Sequence, residues 1–293
     1  MAEDFPKVEG GGSLILAWQI RGKRVLVIGG GEVAAGRILN CLNADALVTV
    51  ICPREGLNPE VAHRVALGQV THIDRKFVPS DLDPSLSTTN TTTTTISSSS
   101  TTDQTQQQQQ SPQTQEQQPP SLVLTAIDDP ITSSEIYTLC HRLRIPANIA
   151  DVPPECDFYF GSVHRDGPLQ IMVSTNGKGP RLAATIRKSI AASLPPRAGE
   201  AIKKVGKLRQ MLRKVEPGKE VAVIGKRMGW MIGVSDRYTW ETFADMTEED
   251  MANLVGFYQS GEPLPELEVL KGMREGEQAV WEFDGSFGFS VGC

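Results

Sequence analysis

Three observations predict an α/β fold in the first half of the chain and a smaller, different architecture in the second. Short β-branched runs alternate with helical patterns from about residue 24 to residue 150. One of those runs breaks into Gly29, Gly30 and Gly31 and resumes as a helix. After residue 158 the pattern changes to a hairpin followed by helices. Strands that alternate with helices imply a parallel, doubly wound sheet. The expected order is therefore a Rossmann-like doubly wound parallel sheet, a small α+β region, and a C-terminal helical domain.

The glycine stretch carries the first chemistry. Gly29, Gly31 and Ala34 match the Gly-x-Gly-x-x-Gly/Ala fingerprint of dinucleotide sites, placed as that fingerprint requires between a strand and a helix. Gly29 permits the tight turn, Gly31 lets the backbone approach a pyrophosphate, and Ala34 lets the helix pack close to the strand. The N–H groups at the start of the helix then face the phosphates, where the helix dipole favours negative charge.

Composition bounds the rest. The chain has 293 residues, enough for one large domain or two ordinary ones. No apolar run approaches the roughly 20 residues needed to span a membrane. The first 12 residues are acidic and glycine-rich, lack the pattern of a signal peptide, and read as a flexible terminus. Cys41, Cys52, Cys140, Cys156 and Cys293 form no C-x-x-C pair, which favours reduced thiols in the cytoplasm over disulfides or a zinc site. Net charge is −6, yet residues 160–230 hold 15 Lys/Arg against 4 Asp/Glu. A basic segment in an acidic protein suits an anionic small molecule or a phosphate contact, or simply solvated basic helices. No groove-reading motif or aromatic interleaving accompanies it, so nucleic acid is not an expected partner.

In chain order, residues 13–20 are mostly apolar and are expected to form a preceding strand. The glycine-motif strand and its helix run to about residue 43. Residues 46–51 form the second strand of a βαβ unit, ending Cys52-Pro53-Arg54-Glu55. In an NAD site an acid at this point holds the ribose hydroxyls. Here Glu55 suits the ribose and Arg54 suits a 2′-phosphate, and the residues leave NAD and NADP open. A short helix is expected over 59–67 and a third strand over 70–77. Residues 85–120 are almost wholly Thr, Ser, Gln, Asn and Pro. They offer too little apolar surface to offset their ordering entropy and read as a disordered insertion. A fourth strand covers 122–127. Thr132-Ser133-Ser134-Glu135 reads as the cap of a helix to about residue 142. A fifth strand runs over 145–150 and ends at Asp151. Gly29, Gly31, Pro53, Arg54, Thr125, Ala126 and Asp151 all fall at or near strand ends, where ligands of such sheets bind; Thr125 and Ala126 are therefore candidate cofactor contacts.

In the second part, 158–163 and 169–174 read as a hairpin around Arg165-Asp166-Gly167. A glycine-rich turn, 175–180, follows, and Pro180 suits the first turn of a helix. That helix places Leu182, Ile186 and Ile190 on one face and Arg181, Arg187 and Lys188 elsewhere. A second helix over about 199–214 has Ile202, Val205, Leu208 and Leu212 at helical spacing. Residues 246–250 cap a last clear helix to about residue 259. Beyond residue 261 there is no strong pattern.

Three stretches now stand in one order: Val27 to Ala34, Asn148-Ile149-Ala150-Asp151 with Cys156-Asp157-Phe158, and Ser174 to Ala183 with Ile186-Arg187. Together they resemble the siroheme synthase family, most of all its fungal bifunctional precorrin-2 dehydrogenase / sirohydrochlorin ferrochelatases. The resemblance covers about residues 13–82 and 121–260. It implies an NAD-binding domain over 13–151, a dimerisation and active-site region over 152–195 and a helical domain over 196–260; the polar insertion and a tail over 261–293 fall outside it. It also implies a homodimer that oxidises precorrin-2 with NAD and then inserts ferrous iron at one site. Carried over by position, Glu32, Val33, Pro53 and Arg54 touch NAD, and Asp151 is the shared catalytic carboxylate. The implied substrate is rich in carboxylates, which a basic cleft from Lys178, Arg181, Arg187 or Lys188 would complement.

The chemistry suits these residue types. A dehydrogenation that sends a hydride to a nicotinamide also releases a proton, which a carboxylate beside the cofactor accepts. Metal insertion removes pyrrole N–H protons, again work for a carboxylate. His63, His72, His141 and His164 fit no ligand spacing, so no resident metal is expected and iron is a transient substrate. Two alternatives stand beside this reading: an NAD(P)-dependent oxidoreductase on another anionic substrate, and a non-catalytic NAD sensor.

Overall fold

The computed structural model describes residues 11–86 and 119–276. Most of the N-terminal segment over 1–12, the polar insertion over 85–120, and the tail beyond 276 lie outside the described residues. The chain forms two compact units, Met1–Phe160 and Gly161–Cys293.

The first unit runs β1 (Arg24–Ile28), α1 (Glu32–Leu42), β2 (Leu47–Ile51), α2 (Pro59–Ala66), β3 (Thr71–Ile73), β4 (Leu122–Thr125), α3 (Pro130–Leu143) and β5 (Ala147–Ile149). Its five described strands form one parallel sheet in the order β3-β2-β1-β4-β5. The central strand explains why both faces must be covered. Val25 and Val27 bury against Ala34, Ala35 and Ile38 of α1. Leu26 and Ile28 bury with Val123, Ile136 and Cys140 on the α3 side. An apolar residue at every position is the mark of a strand between two helical layers. The register places Ile28, Ile51, Ile73, Thr125 and Ile149 in line across the sheet, so the loops that follow them emerge along one edge.

Several local expectations are corrected. Residues 13–20 form no strand; Leu14, Ile15 and Leu16 are exposed, and within this stretch only Ile20 is buried. The β5 edge is instead met by the returning segment, through a bridge between Asn148 and Cys156. The third strand is only Thr71–Ile73. The cap of α3 is Asp129, whose carboxylate accepts from the N–H groups of Ile131 and Thr132. Pro130 then takes the first helical position, which puts Thr132–Glu135 inside the helix rather than before it.

The second unit opens with the antiparallel hairpin β6 (Ser162–Asp166) and β7 (Leu169–Val173), followed by α4 (Pro180–Ser193), α5 (Ala198–Val215), α6 (Val221–Arg237), α7 (Trp240–Asp245), α8 (Glu248–Ser260) and α9 (Leu267–Gly276). Its core gathers Ala201, Leu208, Leu212, Val234, Met251 and Leu254, with Leu270 of α9 closing it. Helices α6, α7 and α9 were not legible in the sequence. Leu182 and Ile186 share one face of α4 as their spacing predicts, but that face is 66% and 46% exposed at these residues, and Ala183 is the buried one. Among the described residues no helix is long and apolar enough to cross a membrane.

Candidate active site

The glycine turn is shaped by what surrounds it. Gly29 has φ +113°, and a Cβ there would lie 2.0 Å from the carbonyl oxygen of Ala126. Ala126 also donates its N–H to the Ile28 carbonyl at 2.8 Å. Gly29 therefore serves the close approach of two strand ends as well as the turn. Gly30, which the fingerprint leaves free, is equally confined: a Cβ would meet Cys52 Sγ at 2.9 Å, the Gly56 carbonyl at 2.9 Å and Leu57 at 2.7 Å. Gly31 differs. It is the N-cap of α1, it makes no side-chain cap bond, and nothing lies within 4 Å of where its Cβ would be. Glu32 and Val33 follow it, both exposed on the first turn. Ala34 is fully buried. An uncapped helix start beside an open backbone surface fits a dinucleotide pyrophosphate, and Gly29, Gly31, Glu32 and Val33 are the residues that would hold it.

Beyond β2, Cys52 is buried and Pro53 half-buried. Arg54 is exposed and already paired: Asp74 accepts from its backbone N–H at 2.8 Å and from its Nε at 3.1 Å. These bonds, the backbone one first, hold the Asp74 carboxyl below its ordinary range. Glu55 is exposed beside them.

Beyond β4, Thr125 is wholly interior, and its Oγ1 has no hydrogen-bond partner among the described residues. Its carbonyl is the working group, accepting from Ala150 N–H at 2.9 Å and from Arg37 Nη1 at 3.1 Å. Of the two candidate contacts, Ala126 is the one that is partly exposed.

Asp151 stands at the end of β5. It is exposed and takes the left-handed conformation at φ +60°, a backbone state that Asp adopts more readily than most non-glycine residues. Cys156 Sγ donates to the Ile149 carbonyl at 3.1 Å. Asn148 Nδ2 donates to the Phe158 carbonyl at 2.8 Å, and its buried Oδ1 has no partner. Asp157 accepts from Ala147 N–H at 2.8 Å. The motif residues around Asp151 are thus the fasteners of its loop.

Sequence reasoning missed Arg37. It sits one turn into α1, on the helix whose start faces the glycine turn. Its Nη1 donates to the carbonyls of Thr125 and Asn148, and its guanidinium lies 5.8 Å from the Phe160 ring. Burial lowers its pKa, and the nearby Cys156 and Asp151 oppose that shift. Arg37 thereby ties the ends of β4 and β5 together and lends positive charge to the neighbourhood of Asp151. No local pattern marks it, because its partners are 88 and 111 residues away.

The candidate substrate contacts lie in the second unit. Lys178 is exposed in the turn before α4; Arg181 and Lys188 are exposed on α4; Arg187 is half-buried and donates to Ser162 Oγ at 3.1 Å. Within the same unit, Arg209, Arg213 and Arg227 border an apolar cleft of about 400 Å³ between α5 and α6. Among the described residues no group of three or more His, Cys, Asp or Glu is gathered so as to hold a metal ion.

Three stretches of the chain match known families. Residues 16–162 match an NAD(P)-binding family model, residues 166–193 the central region of sirohaem biosynthesis proteins, and residues 195–263 their C-terminal region. The siroheme biosynthesis protein met8 of Schizosaccharomyces pombe is 46% identical over 263 residues, covering 90% of this chain and 86% of its own length. The siroheme synthase of Photorhabdus laumondii is 24% identical over 89% of this chain, which spans 49% of that protein. The solved structure titled SirC, precorrin-2 dehydrogenase, superposes with a TM-score of 0.55 at 15% identity, over 85% of this chain and 100% of the other. That likeness is one of fold.

Proposed function

The chain belongs to the siroheme biosynthesis family, and from that membership we propose that it oxidises precorrin-2 to sirohydrochlorin with NAD and then inserts ferrous iron to give siroheme. One observation carries the reading. A free carboxylate, Asp151, is held at the same sheet edge as a glycine turn built for a dinucleotide. The two are joined by an unbroken path: Gly29 abuts Ala126, and the carbonyl of the adjoining Thr125 accepts from the N–H of Ala150, next to Asp151.

NAD, when bound, supplies the hydride acceptor. The chain's own residues do the rest. Gly31 and the first N–H groups of α1 hold the phosphates, and Asp151 accepts the proton released as the tetrapyrrole is oxidised. The same carboxylate then takes pyrrole N–H protons as iron, a substrate, enters the macrocycle. Arg37 fixes the ends of β4 and β5 so that Asp151 keeps its place. Within the second unit, Lys178, Arg181 and Lys188 carry exposed positive charge of the kind that attracts a polycarboxylate.

The proposal includes a cytoplasmic homodimer. Val163 of β6 and Leu182 and Ile186 of α4 are each more than 40% exposed. Exposed apolar residues of this kind suit burial against a second copy.

The test is anaerobic absorbance with precorrin-2, adding NAD and then ferrous iron, for the natural chain and for Asp151→Ala. Sirohydrochlorin appearing with NAD and siroheme with iron, both lost in Asp151→Ala, is the expected result. No spectral change despite NAD binding would overturn it and favour another anionic substrate or a sensor.

A further inference from the structure

We propose that Asp74 sets a preference for NAD over NADP, by holding Arg54 in a pair that withdraws the arginine's charge from a 2′-phosphate; this rests on the dinucleotide-binding reading above.

The argument starts from position. The adenosine ribose of a dinucleotide lies beyond the carboxyl end of the second strand, where a side chain chooses between a hydroxyl and a phosphate. Here that loop is packed against the glycine turn itself. Cys52 Sγ and the Gly56 carbonyl both crowd Gly30, and Asn58 N–H donates to the Gly30 carbonyl at 2.8 Å. Arg54 lies in the middle of this loop. A free arginine there would be suited to a 2′-phosphate, which it can grip with two parallel N–H groups.

Arg54 is not free. Asp74 is the first residue after β3, and β3 pairs with β2 through Ile51 and Ile73. Two neighbouring strand ends therefore bring the carboxylate to the arginine. One Asp74 oxygen accepts from the Arg54 backbone N–H and the other from Nε. The backbone bond makes the carboxylate part of the loop, so the negative charge stays beside the guanidinium whatever that side chain does. The groups facing this point are Arg54, Asp74, Glu55 and His72, whose Nε2 contacts the Cys52 carbonyl at 2.8 Å. Two carboxylates against one arginine leave the ribose end net negative. That suits two hydroxyls and repels a phosphate. Removing one negative charge several ångströms from a phosphate at a solvated surface changes its binding by roughly tenfold.

The test is the dissociation constants of NAD and NADP, measured by calorimetry without substrate, for the natural chain, Asp74→Asn, Arg54→Ala and the double variant. Asn keeps an acceptor for the Arg54 N–H, so the loop retains its backbone bond; Asp74→Ser serves as a second variant, and circular dichroism checks the fold of each. The natural chain should prefer NAD. Asp74→Asn should move the ratio toward NADP by roughly tenfold, and Arg54→Ala should remove the share of that gain supplied by the released arginine, so that the double variant falls between the natural chain and Asp74→Asn. A folded Asp74→Asn that leaves the ratio within about twofold, or weakens both nucleotides equally, overturns the proposal, as does a natural chain that prefers NADP. A natural chain that binds neither nucleotide overturns the dinucleotide reading itself, and this proposal with it.

Discussion

Asp157 holds Ala147 by both of its backbone groups: its carboxylate accepts the Ala147 N–H at 2.8 Å, and its own N–H donates to the Ala147 carbonyl at 2.9 Å. Ala147 begins β5, an edge strand of the sheet. An edge strand with unpaired N–H and C=O groups is a liability. Here one residue of the returning segment closes the start of it, and the same segment anchors the loop that carries Asp151.

Asp157→Ala leaves the buried Ala147 N–H without an acceptor. The expected cost is about 1–3 kcal/mol, seen as a lower midpoint in urea denaturation. Asp157→Asn retains an oxygen at this point and should restore most of the loss. Equal midpoints for Asp157→Ala and the natural chain would show that the bond is replaced by water.

Gly29 and Gly31 should fail in different ways. A Cβ at Gly29 collides with the Ala126 carbonyl at a φ that L-residues avoid, so Gly29→Ala must part β1 from β4 and should be poorly folded by circular dichroism. Gly31→Ala meets no atom within 4 Å and has φ −74°. It should melt within a few degrees of the natural chain yet bind NAD at least tenfold more weakly, because the methyl occupies the pyrophosphate's place. Unchanged NAD affinity in Gly31→Ala would place the phosphates elsewhere.

Arg37→Met removes donors from the Thr125 and Asn148 carbonyls while keeping much of the apolar stem. A stability loss of about 1–3 kcal/mol is expected, together with a fall in precorrin-2 oxidation larger than any change in NAD affinity. Arg37→Lys keeps the charge but not the planar guanidinium whose Nη1 donates to both carbonyls, and should recover only part of each. Full activity in Arg37→Met would separate Arg37 from the placement of Asp151.

Burial pushes the thiols of Cys41 and Cys140 up to about 11 and about 12. In the unfolded chain they ionise near their ordinary value of about 8.5. Between these values the folded state binds more protons than the unfolded one, so stability is full below about pH 8.5 and declines as pH rises. The limiting slope is about 1.4 kcal/mol per pH unit for each thiol. Denaturation midpoints from pH 7 to 10 should show this decline, and Cys140→Ala should reduce it. A flat profile would mean that the thiols reach solvent.

What could be read from the residues alone was whatever depends on local spacing. The fingerprint of Gly29, Gly31 and Ala34, the apolar runs of β1, β2 and β4, Pro180 at a helix start and the Thr247–Asp250 capping box each act within a few residues, and each lies where the pattern placed it, whereas the strand expected over 158–163 runs from Ser162 to Asp166. Helix α6 was hidden for the same kind of reason. Its Gly225, Gly229 and Gly233 and its β-branched Val221, Val223 and Ile224 weaken a helical pattern. The helix is secured instead by tertiary contacts: the burial of Met231 and Val234, and the bonds of Arg227 to the carbonyls of Glu216 and Gly218.

The sequence by itself therefore determined the fold class and the glycine turn, because strand runs and glycine turns are local facts, and it offered Asp151 as a candidate through its place at a strand end together with the family resemblance. Only the tertiary structure decided which charges meet. Register across a parallel sheet aligns strand ends that are far apart in the chain, bringing Arg54 to Asp74, Arg37 to Thr125 and Asn148, and the fingerprint's unassigned Gly30 against Cys52. Periodicity shows that a residue faces a core or a solvent. It does not say which distant residue will be waiting there, and that pairing is what turns a sheet edge into a site.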